Sequence, residues 1–136
     1  MSARELAPHD LAALAETVAA YPYKAYRHYR VLSRKAQNAV MLAEVEATLR
    51  HPDGVVLEAP GDGDPASVVV ARTPASDTEF FALPMARPEY VLAPSRPAAE
   101  RSIAAALDAL RARGVQHVSA RIDVEDIATT AALEAN

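Results

Sequence analysis

Apolar positions along this chain switch between helical and strand spacing, and the switches mark out its elements. Ala3–Leu6 reads as a short opening strand. Pro8-His9-Asp10 then starts a helix, with an acid near the positive end of the dipole. Leu11, Leu14, Ala15 and Val18 recur at helical spacing until Pro22 breaks the pattern. The spacing predicts a second helix from about Tyr26 to Arg50. Its apolar stripe comprises Tyr29, Leu32, Ala36, Ala39, Val40, Ala43 and Ala47, within about a third of the circumference at ~100° per residue. Arg27, Arg30, Arg34 and Gln37 fall on another face, and His51-Pro52-Asp53-Gly54 reads as a stop and a turn.

Two β-branched runs follow, Val55–Ala59 and Val68–Arg72, joined through Pro60-Gly61-Asp62-Gly63-Asp64-Pro65. The separator has the composition of a hairpin loop. A polar stretch (Thr73–Glu79) leads to Phe80-Phe81, and Glu89–Ala93 reads as another strand. Pro94-Ser95-Arg96-Pro97 launches a third helix with Ile103, Ala106, Leu107 and Leu110 on its buried side and Gly114 as its stop. Val115–Ile122 alternates Val118, Ala120 and Ile122 against His117, Ser119 and Arg121 as a strand does. Asp123, with Asp126 three residues on, caps a fourth helix carrying Ile127, Ala131 and Leu133. The order is β-α-α-β-β-β-α-β-α, an α/β chain of the α+β kind with an antiparallel half and one parallel crossover. No linker divides it, so residues 1–136 read as a single domain.

Composition narrows the chemistry. Apolar residues make up 51% of the chain, but alanine supplies so many that the core must lean on a modest set of larger side chains. A net charge of −4 argues against a general nucleic-acid binder. With no cysteine, disulfides, thiolate catalysis and thiolate zinc sites are excluded. No apolar run approaches the ~20 residues of a membrane span, and Arg4, Glu5, His9 and Asp10 interrupt any signal-like segment, so the cytoplasm is the expected location.

The strand-to-helix turn at Ala93–Arg101 contains no glycine; none occurs between Gly63 and Gly114. Such a turn lacks the residue that lets backbone amides close on a phosphate. The element order, with Ala3–Leu14, the segment Ser76-Asp77-Thr78-Glu79-Phe80-Phe81-Ala82-Leu83-Pro84-Met85-Ala86-Arg87, Val118–Asp123 and Ala131–Ala135, resembles the GNAT superfamily of N-acetyltransferases. Within it the chain looks like the amino-terminal half of TDP-fucosamine acetyltransferase-like proteins.

The resemblance implies a GNAT-like mixed sheet that lacks its last two strands. It implies acetyl-CoA as the donor and a small amine as the acceptor, attacking directly with no covalent enzyme intermediate. The cofactor's pantetheine arm would lie between the fourth and fifth strands, with the backbone around Leu92 holding the thioester. Arg96 and Arg101 would attract the pyrophosphate at the third helix. Glu100 falls near the family's central glycine, and Pro97 removes an amide donor. Leu133 stands at the position of the acid tyrosine, so no catalytic residue is assigned. The expectation is a degenerate or truncated half with little activity alone. The alternative is a non-catalytic scaffold that a second copy, or a separate carboxy-terminal half, completes by pairing with the last strand.

Other clusters read as ordinary structure. Tyr21, Tyr23, Tyr26 and Tyr29 interleave with Lys24, Arg27, His28, Arg30, Arg34 and Lys35, either a solvated basic face or a dock for an acidic partner. His9, His28, His51 and His117 have no metal-like spacing. His117, Ser119 and Asp123 lack the motif of a nucleophile triad. Asp77 and Glu79 suit turn capping better than base catalysis, Asp62 and Asp64 belong to a turn, and Phe80-Phe81 with Met85 reads as an apolar anchor.

Overall fold

The computed structural model describes residues 3–21, 33–59, 67–73 and 84–119, with Ala131 and Glu134. The expectations on Tyr29, on the 60–65 hairpin loop, on Asp77, Glu79 and Phe80-Phe81, and on Asp123 and Leu133 lie outside the described residues. Ala131 and Glu134, in the expected fourth helix, are both helical.

β1 (Arg4–Glu5) is shorter than the Ala3–Leu6 expected and pairs antiparallel with β2 (Gly54–Ala59). A single 3-10 turn at Pro8–Asp10 leads into α1 (Leu11–Ala20). The Asp10 carboxylate accepts the Ala7 N–H at 2.8 Å, and this bond is the main cause of its lowered pKa. α1 ends where Tyr21 turns extended ahead of Pro22, the conformation that a following proline favours.

α2 (Arg34–Arg50) corrects two expectations. It begins at Arg34, not Tyr26, because Ser33 is extended and its Oγ accepts the Ala36 N–H at 3.1 Å. Its buried face is Met41, Val45 and Thr48, while Ala39, Ala43 and Ala47 of the expected stripe are exposed. The stripe read from sequence rested on alanines, each of which removes little area from water. The longer Met41 and Val45, flanked by Leu42 and Leu49, take the core side instead. Thr48 is tolerated there because its Oγ1 donates back to the Glu44 carbonyl at 3.0 Å.

β2, β3 (Ser67–Arg72) and β4 (Met85–Leu92) form consecutive antiparallel pairs. β4 starts four residues earlier than the Glu89 expected, since Arg87 and Pro88 obscure the strand pattern. α3 (Arg96–Ala112) then crosses over, and β5 (His117–Val118) lies parallel to β4. Spatial order follows chain order, β1-β2-β3-β4-β5. Gly114, at φ +89°, lets the chain leave α3 in a conformation that disfavours side chains.

The valine runs explain the layering. Val56, Val68, Val70 and Leu92 pack with Leu14, Val18, Tyr21, Met41 and Val45 under α1 and α2. The alternate residues Val55, Leu57, Val69 and Val91 pack against Ala99, Ile103 and Ala106 of α3. Strands buried on both faces read as continuous apolar runs, which is what Val55-Val56-Leu57 and Val68-Val69-Val70 are.

The corrected face of α2 is directly testable. Met41→Ala is expected to cost about 2–5 kcal/mol, the usual range for such a deletion in a core. Ala43→Lys is expected to stay within about 0.5 kcal/mol. Urea denaturation of the two variants checks both; equal losses would contradict the assignment.

Candidate functional site

The site is built on β4, whose sequence Arg87-Pro88-Glu89-Tyr90 does two unusual things in a central strand. The first concerns pairing with β5. The Ser119 N–H donates to the Ala86 carbonyl at 3.1 Å, and the His117 N–H to that of Pro84 at 3.3 Å. In a parallel ladder the next rung would be an N–H of residue 88 reaching the Ser119 carbonyl. Proline has none. The described β4–β5 pairing ends at Ala86 and Val118, although β4 continues to Leu92.

The second concerns β3. Ala71 faces Pro88 and Val70 faces Tyr90, so Glu89 is an extra residue, a β-bulge. A bulge breaks the in-out alternation and lets consecutive side chains share a side. Glu89 thereby reaches Arg72, with its Oε1 3.5 Å from Arg72 Nε and 3.7 Å from an Arg87 guanidinium nitrogen. The Tyr90 hydroxyl donates to Glu44 Oε2 on α2. Glu44, Arg72, Arg87, Glu89 and Tyr90 line a cavity of about 600 Å³. Arg72 Nε is buried without a hydrogen bond, since its contact with Glu89 is an ion pair of poor hydrogen-bond geometry. A buried donor left so costs about 1–3 kcal/mol.

At the far end of β4, Leu92 is fully buried among the residues of the α1 side. Its side chain is a core residue. Ala93 and Pro94, with Thr17, Ala20 and Tyr21 of the α1 end, line a second, largely apolar cavity of about 300 Å³.

α3 opens directly after this point. Ser95 caps it, its Oγ accepting the Ala98 N–H at 3.3 Å and its carbonyl the Ala99 N–H at 2.9 Å. Pro97 has no N–H to offer. Of the first three helical residues only Arg96 keeps an amide free for an anion among the described residues. The Arg96 side chain is also engaged: its Nε lies 3.0 Å from Glu100 Oε1, one turn on. Arg101 is half-buried and, five residues on, stands about 140° round the helix from Arg96. The two arginines therefore do not converge on one point. The structure gathers Leu92 and Arg96 at one end of β4 and leaves Arg101 aside.

The remaining sequence candidates divide simply. His51 Nδ1 accepts the Asp53 N–H at 3.0 Å in the turn after α2. His9 lies 3.7 Å from the Asp10 carboxylate. His117 and Ser119 are exposed. Among the described residues there is no cluster of three metal-binding groups and no helix long and apolar enough to cross a membrane. Of the Tyr/Arg-rich segment, Tyr21 is a core residue and Arg34 reaches the Ala19 carbonyl at 3.5 Å.

Sequence reasoning missed the cluster of Glu44, Arg72, Arg87, Glu89 and Tyr90. The available signal was a proline between two charged residues inside an otherwise apolar strand, the usual mark of a bulge or an edge.

No family model and no curated protein matches the chain. Solved structures do. A putative acetyltransferase from Arthrobacter sp. FB24 superposes with a TM-score of 0.67 at 20% identity, over 99% of this chain and 83% of its own. A ribosomal-protein-alanine N-acetyltransferase from Brucella melitensis biovar Abortus 2308 gives 0.67 at 14% identity, over 99% and 90%. An aminoglycoside acetyltransferase from an uncultured soil metagenomic sample, in complex with sisomicin, gives 0.63 at 12%, over 98% and 85%. The chain has the fold of GNAT-type acetyltransferases.

The link between Tyr90 and Glu44 pins the α2 side of the cavity to its β4 floor. A Tyr90→Phe, Glu44→Gln double-mutant cycle is expected to give a coupling of about 1–2 kcal/mol, the range for a bond to a charged acceptor. Denaturant titrations of the four proteins measure it; strict additivity would contradict the bond.

Proposed function

We propose that this chain is a GNAT-like N-acyltransferase domain that engages acetyl-CoA along the upper half of β4 and holds its phosphates weakly. The observation that carries the reading is the described β4–β5 pairing, which takes in only Met85 and Ala86 of an eight-residue strand and stops short of Pro88, a residue with no N–H to continue it; a chain-like ligand beside the rest of β4 would fit that interruption. Solved structures with the same topology are acetyltransferases, which supports the reading at the level of the fold. The backbone at Leu92 would hold the thioester end, and acetyl-CoA when bound supplies the activated acyl group. At the phosphate end the fit is poorer. Arg96 offers one amide and a guanidinium already paired with Glu100, and Arg101 stands off to one side. The acceptor is a small amine, and the cytoplasm is the corresponding location. The finer resemblance to the amino-terminal half of TDP-fucosamine acetyltransferase-like proteins belongs to this reading too.

A second reading, a non-catalytic half that scaffolds a second copy or a separate carboxy-terminal acyltransferase half, is favoured by the same Arg96–Glu100 pair. A carboxylate spending the nearest cation is a poor design for a phosphate site.

Calorimetry with acetyl-CoA separates the two. The acyltransferase reading expects a Kd near 100 μM, about −5.5 kcal/mol. It also expects Glu100→Gln to tighten binding by roughly three- to tenfold by releasing Arg96. No binding at millimolar concentration in either protein overturns it in favour of the scaffold.

A further inference from the structure

We infer that residues 4–10 form a strap latched by the Asp10 carboxylate, and that the strap leaves the sheet as a local unit when that carboxylate takes up a proton. β1 pairs with β2 through two residues only. The latch supplies what so short a strand lacks. Asp10 Oδ2 accepts the Ala7 N–H at 2.8 Å, and the Asp10 N–H donates to the Ala7 carbonyl at 2.9 Å, so the turn is closed from both ends. The other carboxylate oxygen, Oδ1, lies 3.6 Å from one Arg4 guanidinium nitrogen. The second nitrogen of that guanidinium donates to Glu58 Oε1 on β2 at 3.2 Å. One carboxylate thus fastens the turn and, through Arg4, reaches the neighbouring strand.

Exposure shows which of these ties matters. The Arg4 side chain is 59% exposed, and an ion pair so open to water contributes little by itself. The Asp10 side chain is only 16% exposed and carries the bond to backbone. Protonated, it would keep an oxygen near Ala7 but lose its charge, weakening that bond and freeing Arg4. The charge is favoured first by the Ala7 N–H, then by His9 at 3.7 Å and by Arg4, which together hold the carboxyl below the usual aspartate range. α1 and α2 pack against the turn and, among the described residues, add no charge that bears on Asp10. A lowered folded pKa gives its full contribution above the unfolded value and loses it as pH falls through the folded one. The strap is therefore latched at neutral pH and opens in acid. Opening withdraws Leu6 from the core cluster it shares with Leu14 and Val18, and breaks its N–H bond to the Val56 carbonyl. It also uncovers the outer edge of β2 at Leu57 and Glu58. None of this depends on the acyltransferase reading.

Amide hydrogen exchange on the full chain, read as protection factors by NMR, tests the inference. From neutral pH to about pH 2, Leu6 and Ala7 are expected to lose protection about tenfold or more, while Val69 and Val70 of β3, paired on both sides, keep theirs. Asp10→Asn retains an oxygen for the Ala7 N–H but has no proton to take up, and is expected to abolish that pH dependence. Asp10→Ala is expected to lower both amides at neutral pH by about tenfold with β3 unchanged; should it fail to fold, the Asp10→Asn titration decides alone. The inference is overturned if Leu6 and Ala7 stay protected in acid, or if Asp10→Asn responds to pH as the parent does. Loss of protection at Val69 and Val70 together with the strap overturns it as well, because the opening would then be global.

Discussion

A proline contributes no amide proton, and at position 88 that single missing hydrogen decides where β4 can pair. Ala86 completes its bonds with His117 and Ser119, and the next rung has no donor. On its other edge β4 remains fully engaged with β3 through Leu92. Among the described residues, then, β4 pairs along one edge nearly throughout and along the other only at Met85 and Ala86. The same proline sits beside the bulge that turns Glu89 and Tyr90 toward α2, so one short stretch of sequence shapes both features of the site.

The charges follow from that backbone. Without the extra residue at Glu89, in-out alternation would send Glu89 and Tyr90 to opposite faces of the sheet. With it, Arg72, Arg87, Glu89 and Tyr90 meet Glu44 in one half-buried cavity. The α3 end of β4 is built to a different balance. Ser95 satisfies its own helix, Pro97 withholds a donor, and Glu100 occupies Arg96. Packing at that end is sound, with Ala98, Ala99, Ser102 and Ile103 buried.

Much of the architecture was legible in the chain. The valine runs of β2 and β3, the Ser95–Pro97 start of α3 and its Gly114 stop each agree with local rules that tertiary structure did not override. The face of α2 was not legible, because alanine satisfies an apolar template without supplying the area that decides burial. The start of β4 was hidden by Arg87 and Pro88, which propensity counts against a strand. Leu92 and Arg96, singled out through the resemblance, fall at the same end of β4, whereas the cavity residues were invisible to it. Glu44 and Arg72 are far apart in sequence, and only the α2 packing and a bulge bring them together.

Amide hydrogen exchange in a Pro88→Ala variant tests the central claim most directly. If the proline alone withholds the rung, the amide introduced at residue 88 will exchange about as slowly as that of Ala86, bonded to the Ser119 carbonyl. If that amide exchanges as fast as one exposed to water, the two strands part for some other reason, and Pro88 does not govern the open edge of β4.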